Sequence, residues 1–201
     1  MLGERARKEV FGLARSVGVL RPRDLAARGI PREYAHRLFE AGHLRRIGHG
    51  LYVLPQGPAS AHRSLAEVAK AMPRGVICLL SALRFHGLTT QLPSEVWIAL
   101  EPKSWRPRSA PFAVRVAYFS GPAFSHGVET HAIDGVTARI FSPAKTVADC
   151  FKYRNKIGTE VAVEALRDYL KKNRAGGGEL WRYAKVCRVT NVMRPYLEAV
   201  A

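Results

Sequence analysis

The chain has 201 residues, room for one large domain or two small ones. Apolar residues make up 47% and charged residues 24%, proportions that exclude a disordered chain, and no apolar run reaches the ~18 residues a membrane-spanning helix needs. Basic residues outnumber acidic ones 32 to 16, so the net charge is +16, an imbalance that draws a protein to polyanions such as nucleic acid.

Residues 1–55 carry +6, 56–140 carry +4 and 141–201 carry +6, so the charge is not confined to a tail. The stretch Met1 to Glu9 mixes both signs without an apolar core, unlike a signal peptide; a cytoplasmic protein is expected. The three cysteines, Cys78, Cys150 and Cys187, are too far apart for a zinc site and read as small buried residues.

Ala6, Val10, Leu13, Ala14 and Val17 recur at helical spacing, and Gly18 follows as a stop. Pro22 opens a second, short helix that Gly29 closes. Pro31 opens a third, Arg32 to Ala41, ended by Gly42. The apolar runs Leu44–Ile47 and Leu51–Leu54 flank Gly48-His49-Gly50 and read as a β-hairpin. Three helices and a hairpin in about 50 residues is the winged helix-turn-helix order, in which the third helix enters the DNA major groove and the hairpin meets the backbone. Ala35 and Leu38, with Phe39 and Gly42, are expected to face the core. That leaves Arg32, Glu33, His36, Arg37 and Glu40 outward, with Arg32, His36 and Arg37 for base contacts, and Arg45, Arg46 and His49 on the wing for phosphates.

Pro55-Gln56-Gly57-Pro58 reads as a linker, giving a DNA-binding domain over 1–57 and a second domain over 59–201. There an amphipathic helix, His62 to Met72, precedes a buried run from Val76 to Leu83 that is strand or helix, with helix favoured for its later part. Strands are expected at Glu95–Leu100 and Phe112–Phe119, and a hairpin turns at Asp134-Gly135. Ser142-Pro143 starts the first of about four closing helices. Among these, Gly158 to Asn173 turns Val161, Ala165, Leu166 and Leu170 inward, and Gly176-Gly177-Gly178 breaks that helix. The expected fold class is α+β, a winged helix-turn-helix followed by a small sheet with helices.

Phosphate-loop, dinucleotide, nucleophile-elbow and zinc-protease motifs are missing from the sequence. His86 sits in an apolar run and reads as a satisfied core histidine. Glu101-Pro102-Lys103 resembles half of a nuclease metal site, with only Glu95 upstream to complete it; a metal-dependent nuclease carried to DNA by the winged helix is the alternative reading. Lys145 and Asp149, four apart on one helix, read as a surface ion pair. No enzyme, metal or cofactor is expected.

Gly29-Ile30-Pro31-Arg32 through Arg46 and Gly50-Leu51-Tyr52 resemble the N-terminal domain of AbiEi-type antitoxins. Ser81-Ala82-Leu83, His86-Gly87-Leu88-Thr89, Trp97-Ile98-Ala99 and Ser142 through Asp149 resemble that family's second domain. The resemblance implies a type IV toxin–antitoxin system. Its antitoxin represses its own operon by binding promoter DNA, expected at inverted repeats, and neutralises a nucleotidyltransferase toxin of the AbiEii type. Under that implication the twelve basic residues of 141–201 offer a face toward the toxin, with Lys152, Arg154 and Lys156 as contacts and Lys145 and Asp149 bracing them.

Overall fold

The computed structural model describes residues 4–55, 62–104 and 113–200; Gln56, Gly57 and Pro58 of the expected linker and Phe112 of the expected strand lie outside them. The described residues form two compact units. One takes 4–55 and 62–73 with His131–Ala138, and the other takes 74–104, 114–130 and 139–200. Among the described residues, no helix is long and apolar enough to cross a membrane.

In the first unit, α1 (Glu4–Val17) buries Val10, Leu13 and Ala14. Gly18 ends it at φ +64°, a conformation glycine adopts without penalty. Helix α2 (Pro22–Ala26) starts on a proline, and the Asp24 carboxylate accepts the Arg21 backbone N–H at 2.8 Å, holding the first turn. Helix α3 (Glu33–Glu40) buries Ala35 and Leu38 completely and Phe39 in part. Gly42, expected inward, is exposed; at φ +72° it ends the helix instead of packing under it. The wing is β1 (Arg45–Gly48) and β2 (Leu51–Val53), with Arg46 opposite Tyr52 and a bulge between Arg46 and Gly48. Tyr52 also exchanges both backbone hydrogen bonds with Leu20, at 2.8 and 2.9 Å, which ties the wing to the turn after α1. Helix α4 (Arg63–Ala71) turns Leu65, Ala66, Val68 and Ala69 inward. The order and the shared core of Leu13, Leu20, Leu25, Ala35, Leu38 and Tyr52 make this a winged helix-turn-helix.

Gly18 also marks the closest approach in this unit. A β-carbon there would strike the backbone carbonyl of Asp134, and one on Gly135 would strike that of Ser16. Gly18→Ala should therefore cost more than ~2 kcal/mol, from left-handed strain of ~1–2 kcal/mol plus the collision. Gly29, at φ +72° with open space around it, meets only the strain, so Gly29→Ala should cost ~1 kcal/mol. Urea unfolding of the two variants measures the difference, and equal losses would contradict the close approach.

The second unit opens with β3 (Val76–Ile77) and α5 (Leu79–His86), so the undecided run is two strand residues followed by a helix, capped by Gly87 at φ +64°. Then come β4 (Val96–Leu100), β5 (Val114–Tyr118), the single turn α6 (Pro122–Ser125), and β6 (Val128–Ile133) and β7 (Val136–Phe141), a hairpin whose outer residues His131–Ala138 are counted with the first unit. Asp134 and Gly135 take φ +47° and +74°, the paired left-handed turn that suits hairpin twist. The five strands lie in the order β5-β4-β3-β7-β6, parallel in β4/β5 and β3/β7 and antiparallel in β3/β4.

The closing helices are α7 (Pro143–Lys152), the single turn α8 (Arg154–Ile157), α9 (Thr159–Lys172), α10 (Gly177–Val186) and α11 (Thr190–Val200). In α9 the core side is Val161, Ala162, Ala165, Leu166 and Tyr169, with Leu170 only half-buried. Gly177 and Gly178, expected to lie between two helices, form the first turn of α10, where Glu179 complements the helix dipole.

Helix α7 is the centre of this unit. Ser142 caps it by accepting the Lys145 backbone N–H at 3.4 Å, and α5, α9, α10 and α11 pack around it. The sequence reading placed Lys145 and Asp149 at the surface. The structure places them in the core, 0% and 1% exposed, because this helix has neighbours on every side. The Lys145 ammonium donates to both Asp149 oxygens at 2.6 Å and lies over the rings of Phe141 and Phe119 at 4.1 and 5.1 Å. The Cys187 thiol donates to Asp149 Oδ1 at 3.2 Å. Burial pushes the Asp149 carboxyl up to about 6, against the opposing pull of Lys145 and Cys187. The three cysteines are free and buried, as expected, and burial raises each thiol above its ordinary value. His86 is half-buried, its Nε2 2.8 Å from the Phe141 carbonyl oxygen.

Candidate nucleic-acid interface

Helical periodicity fixes what α3 can present. With Ala35 and Leu38 in the core, Arg32, Glu33, His36, Arg37 and Glu40 all lie exposed on one side. Arg32 occupies the position just before the helix, where a recognition helix meets bases. Arg37 pairs with Glu33 at 3.4 Å and lies 5.7 Å from the Tyr34 ring centre. His36 pairs with Glu40 at 3.2 Å and stacks on Phe39. On this face Arg32 and Arg37 stand against Glu33 and Glu40, and among the described residues only Arg37 of the two arginines is held by a carboxylate.

Both pairs are solvent-exposed, and such pairs are worth at most ~1 kcal/mol, so a phosphate or guanine can displace the carboxylate. Glu33→Gln should release Arg37 and strengthen duplex binding roughly two- to fivefold. Fluorescence anisotropy against the parent checks this, and weaker binding would mean that Glu33 itself contacts a base.

The wing separates its two arginines, because neighbouring strand residues face opposite ways. Arg46 reaches round the tip, donating to the Gly48 carbonyl at 3.1 Å with His49 3.4 Å away. Arg45 leans toward Glu67 of α4 at 3.9 Å, a carboxylate that Arg63 already holds at 3.4 Å. Arg46 and His49 therefore share the tip, and Arg45 does not join them.

Two cations at the start of α2 were missed. Gly50, in the turn of the wing, stands beside Pro22, whose Cδ lies 3.8 Å from where a β-carbon on Gly50 would be, so Arg21 and Arg23 lie in the chain on either side of that contact. Burial, and after it the charge of Arg23, lowers the Arg21 guanidinium from its ordinary value. The signal was the run Arg21-Pro22-Arg23 at a helix start, since the first helix of the motif crosses the DNA backbone.

Residues 9–55 match the family described as transcriptional regulator, AbiEi antitoxin.

The AbiEi match covers α1 from Glu9, α2, α3 and the wing, and so includes every α3 and wing residue named above. No curated protein matches the chain. Among solved structures, the RV2827C protein from Mycobacterium tuberculosis is similar over 92% of this chain and 80% of its own, with TM-score 0.54 and 16% identity; at that identity the likeness is one of fold.

The remaining candidates divide between core and surface. Lys145 and Asp149 are sealed inside and offer nothing to a partner directly. Lys152 and Lys156 are exposed. Arg154 is half-buried and donates to the Phe151 carbonyl at 2.9 Å. Tyr153 between them donates to the Tyr118 carbonyl at 2.6 Å, anchoring the short helix that carries the cluster.

Glu95 and Glu101 do not come together. They lie at opposite ends of β4, roughly 20 Å apart at ~3.3 Å per residue. Glu95 pairs with Arg115 at 3.1 Å and Glu101 is exposed.

Proposed function

We propose that this chain is the antitoxin of a type IV toxin–antitoxin system. Its winged helix binds duplex DNA at its own promoter, at inverted repeats, and represses the operon. The rest of the chain neutralises a nucleotidyltransferase toxin of the AbiEii type, in the cytoplasm. The observation that carries the reading is the exposed set of Arg32, Arg37, Arg46 and His49 on a winged helix whose sequence matches the AbiEi regulators. In this reading DNA binding belongs to 1–57, with Arg21 and Arg23 on phosphates, and the antidote to 59–201. Lys152, Arg154 and Lys156 are offered to the toxin, and Lys145 and Asp149 hold the helix behind them.

The test uses the full chain in two assays: repression of a reporter behind its upstream DNA, and rescue of cells expressing a co-transcribed toxin. Arg32→Ala with Arg37→Ala should abolish repression and leave rescue intact. Rescue lost together with repression would make repression itself the antidote.

A further inference from the structure

A groove of about 640 Å³ opens among α9, α10 and α11. Its floor is Leu170, Trp181 and Leu197, three large apolar side chains that rest against the core and are only partly buried. Arg174 and Arg194 stand on its rim, and an adjoining hollow that shares Leu170 adds Arg167. Among the described residues these three arginines make no ion pair, in contrast to Lys171 with Asp168 at 3.5 Å and Arg182 with Glu179 at 3.4 Å on the same helices. Glu198 is the one carboxylate in the lining. The groove thus sets a small apolar floor beside unpaired guanidinium groups.

We propose that this groove receives an acidic amphipathic helix of a partner protein. Leucine-sized side chains at helical i, i+4 spacing suit a floor of two leucines and a tryptophan. Flanking carboxylates suit the planar guanidinium donors of the rim. Duplex DNA presents phosphates, with no apolar side to cover such a floor. A single strand needs successive aromatic platforms, and Trp181 stands alone here. A second copy would bring its own +16 charge against the same arginines. That the partner is the toxin rests on the antitoxin reading; the chemistry of the groove does not.

The full-length chain is titrated into a fluorescein-labelled 18-residue helical peptide with leucines along one face and glutamates beside them. Two other probes run alongside: the same peptide with lysines for glutamates, and an oligo-dT of equal length. The acidic peptide should bind with Kd ~10–100 μM and weaken with added salt. Arg174→Glu with Arg194→Glu, its fold checked by circular dichroism, should weaken it at least ~10-fold while promoter DNA binding stays as in the parent. If charge reversal unfolds the protein, Arg174→Gln with Arg194→Gln serves, with a loss of at least ~3-fold. The proposal is overturned by no saturable binding of the acidic peptide, by equal binding to the folded variant, by tighter binding of the lysine peptide or the oligonucleotide, or by self-association that the variant abolishes. Any of these in a protein that still binds its promoter removes the groove and leaves the proposed function standing.

Discussion

Lys145→Met should destabilise the second unit by ~3–5 kcal/mol, because it leaves the Asp149 carboxylate in the core without its cation. Asp149→Leu alone should cost a similar amount, for the mirror-image reason. The double variant should recover most of the loss, since apolar side chains of similar volume remove both desolvation penalties at once. The pH dependence follows the same chemistry. In the parent, burial already lifts Asp149 from its ordinary 3.8 to about 6 even with Lys145 beside it. Without Lys145 the carboxyl lies higher still. A group whose folded pKa is raised adds stability at low pH and loses it as pH rises through that pKa. Lys145→Met should therefore be much less damaging at about pH 5 than at about pH 8. Urea unfolding of the four proteins at both pH values decides it. A double variant no better than the single ones would show that the pair holds the core by more than mutual neutralisation.

Arg32→Ala and Arg37→Ala should each cost ~1–3 kcal/mol on the specific site and little on unrelated DNA, if each makes a bidentate base contact. Arg46→Ala should act differently, weakening all sequences alike and lowering the salt slope by about one phosphate. Arg45→Ala should lower that slope by less, because Arg45 leans toward Glu67 and away from the tip. Titrations at several salt concentrations separate the two classes. A full slope in an Arg45→Ala/Arg46→Ala double variant would mean the wing does not touch phosphate.

Much of this was legible locally. Pro22 and Pro31 mark the starts of α2 and α3, and Gly18, Gly29 and Gly42, all with φ between +64° and +72°, mark the breaks. The 3.6-residue period put Arg32, His36 and Arg37 outward, and Asp134-Gly135 identified its hairpin. Strand order was not legible, because no local pattern encodes the pairing of Ile77 with Ile140 or of β4 with β5. Burial of Lys145 and Asp149 was missed because charged side chains are almost never sealed unless paired, and their spacing fits a surface pair equally well. The same spacing could have shown that Glu33 pairs with Arg37 and that Glu40 lies beside His36. Telling Arg45 from Arg46 required the strand's facing and the position of α4, which periodicity in the wing alone does not supply.

The proposed function turns on recognition of the chain's own upstream DNA by the winged helix. Fluorescence anisotropy of the full chain at physiological salt, on labelled upstream duplex and on a scrambled duplex of equal composition, tests it most directly. Saturable binding to the upstream duplex is expected, at least ~10³-fold tighter than to the scrambled one, with the preference lost in Arg32→Ala/Arg37→Ala. Equal affinity for the two duplexes, or a preference that survives that double substitution, would contradict it.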